Sequence, residues 1–270
     1  MSKNQDKIFV FHGCDYKVGT TMTAQASAEL IAKKRKDLKI LFLCLNGRAS
    51  TNYCGEDVKS IEMIKMRADN NLLTEEDIRK ISCMKNELHV IGGVSGILTH
   101  RYYSTEFPEQ ILHLAVNIFD LIVVDSGNDI DSGLAVGALK LTEHRFMVMA
   151  QNETILRRYE IIKSLYDALD ISFKYFVINR YAKDDPHDEK YIRKRLNMTE
   201  KEKVIMLSDE NEYARYAEID HNTLLDYKCG EYFSGIGEIA GNILELSGKG
   251  DGDELRMRKK ASGLLRWRDE

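Results

Sequence analysis

Apolar residues in this chain gather into short, nearly unbroken runs at 8–11, 39–45, 87–91, 120–125, 145–150, 173–178 and 204–207. Between them, the segments 20–36, 61–68, 75–82, 107–119, 130–142, 154–169, 188–196 and 235–246 read as helices. Strands buried on both faces are continuously apolar rather than alternating. Their alternation with helices predicts an α/β fold, a mainly parallel sheet with helices on both faces. Ligands of such sheets bind beyond the carboxyl ends of the strands, so the residues just after each run carry the most information. No internal repeat or linker precedes Gly248. The expected organisation is one domain over 1–247 and a flexible, basic, amphipathic tail over 248–270.

Bulk properties narrow the classes. A chain of 270 residues can bury a large core, and 43% hydrophobic with 30% charged residues is ordinary for a globular protein. A net charge of −4 gives no global reason to expect nucleic-acid binding. The start of the sequence is polar, and no apolar run reaches the roughly 18 residues of a spanning helix, so a cytoplasmic location is expected. Cys14, Cys44, Cys54, Cys83 and Cys229 are scattered without a Cys-x-x-Cys pair, which predicts free thiols.

Three strand ends carry chemistry. After the first run, residues 13–24 read Gly-Cys-Asp-Tyr-Lys-Val-Gly-Thr-Thr-Met-Thr-Ala. A strand, a Gly-containing turn and a helix in that order aim backbone N–H groups and a helix N-terminus at an anion. Gly13 and Gly19 permit the turn and a close approach. Lys17 is the only cation inside it, and Thr20 and Thr21 offer hydroxyls at the helix start. Asp125 closes the run at 120–125, where a carboxylate can hold Mg²⁺ together with Thr21. Asn179 and Arg180 end the run at 173–178 as an amide and a cation able to face a nucleobase. His12 reads as a strand-end residue, and the carboxylates near Asp188 as an exposed loop.

These segments, with Leu88-His-Val-Ile-Gly-Gly-Val94 and the stretch at 147–158, resemble the ParA/MinD superfamily of deviant-Walker P-loop ATPases. The resemblance spans about residues 7 to 246 and is nearest the TadZ/CpaE branch, which places pilus machinery. It implies ATP and Mg²⁺ as ligands, a homodimer, and a protein partner in an envelope assembly. The departures are equally specific. The family loop Lys-Gly-Gly-x-Gly-Lys-Thr puts its lysines on Asp15 and Thr20. Asp15 near phosphates repels by about 1 to 4 kcal/mol, depending on dielectric. The acidic residues that the family carries after its second strand fall on Cys44 and Asn46. Phosphoryl transfer rests on positioning and charge stabilisation, so these losses together predict weak or absent hydrolysis.

Three alternatives stay open: an active ATPase using Lys17, a DNA-partitioning protein, and a fold without a ligand. The basic residues Lys190, Arg193, Lys194 and Arg195 would serve DNA contact, although nucleic acid is not the expected partner. At the far end, residues 255–268 contain six basic residues and no acidic one. On a helical wheel Met257, Leu264, Leu265 and Trp267 share a side, with Lys260 in the same segment. Such a helix suits a protein groove or an anionic membrane surface, which predicts peripheral contact with the inner face of a membrane.

Overall fold

A computed structural model of the chain describes residues 5–49, 52–55, 57–96, 98–250 and 255. The residues expected to meet a membrane or partner, Met257, Lys260, Leu264, Leu265 and Trp267, lie outside that set. The apolar runs form strands β1 (Ile8–Gly13), β2 (Ile40–Cys44), β4 (Leu88–Ile91), β5 (Leu121–Asp125), β6 (Arg145–Ala150), β7 (Tyr175–Tyr181) and β8 (Lys203–Ser208). A further strand, β3 (Cys83–Lys85), joins them in one eight-stranded sheet of order β3-β4-β2-β5-β1-β6-β7-β8. Every pairing is parallel except β3 with β4 at one edge.

The helices are α1 (Thr20–Lys34), α2 (Glu62–Asp69), α3 (Glu75–Ile81), α4 (Glu106–Ala115), α5 (Gly133–Lys140), α6 (Glu153–Ala168), α7 (Glu189–Arg195), α8 (Asn211–Ile219) and α9 (Gly230–Leu246). Strand residues alternate between two cores, one on each side of the sheet. Ile8 and Val10 pack with α2 to α7, whereas Phe9 and Phe11 pack with α1 and α9. On the α1 side, Phe11, Phe146 and Tyr175 stack in series across β1, β6 and β7, with centroids 4.6 and 4.8 Å apart. Such aromatic pairs contribute beyond the area they bury.

The element β3 and the helix α8 were not expected from the sequence. β3 is three residues long and only partly buried, and α8 buries Ala217 alone, so neither forms a continuous apolar run. The last helix begins five residues earlier than the sequence suggests, at Gly230, because Tyr232 at its start is packed into the core. Beyond α9 the chain returns to the domain. Arg35 donates to the Lys249 carbonyl at 2.6 Å, and Lys249 pairs with Asp120 at 3.1 Å. Leu255 is buried at 4% exposure, its carbonyl lying where a side chain on Gly237 would have to sit. The five cysteines are free, and all but Cys83 are buried.

His12, at the end of β1, is fully buried between Tyr166 and Phe173. Ser126 Oγ donates to the Phe11 carbonyl at 2.9 Å, so it accepts from His12 Nδ1 at 2.9 Å. The proton therefore sits on Nδ1, and Nε2 has no partner. Burial holds the imidazole down to about 3 from an ordinary 6.5. The unfolded chain takes up this proton below pH 6.5 while the folded one resists it, so His12 removes stability as pH falls through that window. The expected cost is about 1.4 kcal/mol per pH unit. Denaturant unfolding between pH 7 and pH 4.5 should show a slope reduced by that amount in His12→Gln. Equal slopes in the two proteins would mean that His12 is protonated in the fold.

Candidate functional site

The order of the sheet places β1 between β5 and β6, so the chain leaves β1 where its neighbours diverge to opposite sides. This is the crevice at which α/β sheets bind ligands. The turn from Cys14 to Gly19 occupies it. Gly19 takes a left-handed φ of 92° and caps α1, whose first turn no side chain caps. A side chain at Gly19 would overlap the Asn179 amide, and one at Gly13 would overlap Thr20 Oγ1. Both glycines are thus required by close approach, and Gly19 by its backbone angle as well.

Behind the turn lies a buried polar cluster. The Asp125 carboxylate is inaccessible and accepts three hydrogen bonds. Thr21 Oγ1 donates to its Oδ2 at 2.5 Å, Asn46 Nδ2 to the same oxygen at 2.7 Å, and the Gly127 N–H to Oδ1 at 3.0 Å. Burial pushes the Asp125 carboxyl above its ordinary value, and these donors, with the charge of Arg48, act against that rise. Asn46 also accepts from the Arg48 N–H at 3.0 Å. The start of α1 and the ends of β2 and β5 are therefore joined through one carboxylate.

In front of the cluster is a cavity of about 380 Å³. Lys17, Gly19, Thr20, Thr21 and Arg180 line it directly, together with Asn46. Gly13, Asp125 and Asn179 stand behind this lining. All eight residues expected at a phosphate and base site thus meet in one place. Arg180 enters the cavity because the β7–β8 register shifts between Ile178 and Tyr181, where its own φ is 54°. At the same irregularity Asn179 turns inward, and its amide donates to the Val18 carbonyl at 2.9 Å. The amide assigned to a base edge thus has one N–H committed to holding the loop.

Charge at the loop differs from the sequence expectation in one respect. Asp15 forms an ion pair with Arg158 of α6 at 3.3 Å, so its repulsion of an anion is offset locally. Cavity residues that the sequence reading missed are Tyr16, Arg48, Asn52, Tyr53 and Glu218. Arg48 could have been found by the strand-end rule, since it follows β2 by four residues. Tyr53 had no local signal. Its carbonyl is held by Gln25 of α1 at 3.0 Å and by Lys85 of β3 at 2.7 Å, contacts distant in sequence.

The fold family implied by these features commonly carries Mg²⁺ on a nucleotide. The donor set fits one coordination position: Thr21 gives its proton to Asp125 and accepts weakly from Asn46 Nδ2 at 3.4 Å, which leaves one lone pair of its oxygen. No cluster of three or more His, Cys, Asp or Glu side chains suited to a metal exists among the described residues. The remaining ligands would be phosphate oxygens and water.

No family profile matches the chain, and no curated protein does. Solved structures do. A ParA family ATPase from Chlorobium tepidum superimposes with a TM-score of 0.75 over 87% of this chain and 98% of its own, at 16% identity. The fold is that of the ParA/MinD ATPases. The septum site-determining protein MinD from Pyrococcus horikoshii, complexed with Mg-ADP, gives a TM-score of 0.66 at 13% identity, covering 86% of this chain and 95% of that one. The MinC:MinD complex from Aquifex aeolicus gives 0.67 at 15% identity, covering 97% and 99%. In this ParA/MinD-type fold the loop, the Asp125 cluster and the β7 irregularity share one crevice.

Replacing Asn179 by Ala should leave the Val18 carbonyl buried without a donor. The expected loss is about 1–3 kcal/mol in urea unfolding. A change below about 0.5 kcal/mol, within the range of ordinary surface substitutions, would show that the loop does not depend on Asn179.

Proposed function

We propose that this protein binds a nucleoside triphosphate in the crevice beside β1 and uses it as a conformational ligand rather than as fuel. The observation that carries this is the Thr21–Asp125–Asn46 cluster at the start of α1, with a 380 Å³ cavity directly in front of it. Backbone N–H groups at an uncapped helix start favour an anion. Thr21 would hold Mg²⁺, and Lys17, Thr20 and Arg180 would surround the ligand. The Mg-ADP bound to the Pyrococcus MinD supports this choice of ligand.

Slow or absent turnover follows from what the site lacks. Thr20 replaces the helix lysine and Asn46 an acidic side chain, and each such stabilising group typically supplies a few kcal/mol of the barrier. The work of the protein is then done through contacts. A nucleotide-stabilised homodimer would position or scaffold an envelope assembly of the Tad or type IV pilus kind. The segment containing Met257 and Trp267 would add affinity for a partner or for the inner membrane face. The MinC:MinD complex is a precedent for a partner protein on this fold.

DNA partitioning is a second reading that the same fold supports. On α7, however, Arg193 pairs with Glu189, and Arg195 with Glu153 and Glu160, so part of that basic surface is balanced locally.

Calorimetric titration with ATP and Mg²⁺ should give micromolar binding that Asp125→Asn weakens, with phosphate release at background. The absence of heat up to millimolar ATP would end the nucleotide reading. Brisk release abolished by Lys17→Ala would replace it with an active ATPase.

A further inference from the structure

The loop has no lysine at the helix start, yet a phosphate chain in this crevice needs a cation. Four are near. Arg158 is engaged with Asp15 at 3.3 Å. Arg180 arrives from β7 and lines the same cavity as Tyr53 and Glu218. Lys17 is exposed at a left-handed φ of 58°, and its ammonium lies 5.7 Å from the centre of the Tyr16 ring. Arg48 is fixed more firmly. Its backbone N–H is held by Asn46, its guanidinium carbon lies 4.4 Å over the Tyr16 ring, and Nη1 donates to Tyr16 Oη at 2.8 Å.

Two consequences follow from that geometry. Stacking and a hydrogen bond together reduce the rotamer freedom that an exposed arginine would otherwise lose on binding. The link through Asn46 also fixes the arginine's backbone to the Asp125 cluster, at the point where Thr21 begins α1. A guanidinium is a fork that matches two oxygens of a phosphate, which a lysine ammonium cannot do.

Resting on the nucleotide reading above, we propose that Arg48, steadied by Tyr16, supplies the phosphate-binding cation that α1 lacks. The positive charge thus comes from the end of β2, and Tyr16 acts as a positioning residue. Lys17 then contributes general attraction without a fixed contact.

The test uses the full chain and two probes, Mg-ATP and inorganic tripolyphosphate, in calorimetric titrations. Arg48→Gln should weaken both probes by about tenfold to a hundredfold, the range for a hydrogen bond to a charged group. Arg48→Lys should restore only part of the loss, because the fork is gone. Tyr16→Ala should weaken both probes less than Arg48→Gln does, and Lys17→Gln least of all. Arg48 is exposed, so unchanged melting of Arg48→Gln confirms that the fold is intact. If Arg48→Gln binds both probes like the parent while Lys17→Gln loses them, the proposal is overturned and the nucleotide reading stands. If the parent binds neither probe, both fall together.

Discussion

A single buried carboxylate organises this molecule's crevice. Asp125 sits where β5 ends, beyond the reach of water, and three donors with the charge of Arg48 nearby oppose the cost of burying its carboxylate there. Each donor comes from a different part of the chain. Thr21 brings the start of α1, Asn46 the exit of β2, and Gly127 the turn that follows β5 itself. A buried carboxylate that lost one of these donors would bear much of its desolvation cost uncompensated. The positions of loop, helix and strand ends are therefore coupled through electrostatics as well as through packing.

Where the sequence departs from the loop it resembles, each departing residue has a partner in this fold. Asp15 stands where a lysine is expected, and Arg158 of α6 balances it. Asn46 stands where an acid is expected, and its amide satisfies Asp125 where a second carboxylate would have repelled it. Thr20 packs over Gly13, a site too tight for any residue with a Cβ. Each of these residues is locally satisfied in the crevice.

Much of the fold was legible because the strands are buried on both faces, which writes them into the sequence as runs such as Leu121 to Val124. Elements that bury little left no such trace. β3 is short and half-covered, and α8 places only Ala217 in the core. The convergence of Gly13, Lys17, Gly19, Thr20, Thr21, Asp125, Asn179 and Arg180 was legible too, since all of them stand at or just beyond the carboxyl ends of parallel strands. What the sequence could not express was the pairing across it. The contacts of Asn179 with Val18, of Arg48 with Tyr16 and of Gln25 with Tyr53 depend on the irregularity in β7 and on the path of the chain after β2. No spacing rule encodes those paths.

The return of the chain beyond α9 has a consequence for local opening. Leu255 is seated against Gly237, on the α1 and α9 side of the sheet. Arg35 and Asp120 hold Lys249 from the same end of the domain. Fraying of the last turn of α9 would have to release these contacts and the seat of Leu255 together, so that turn opens only as part of a larger unit.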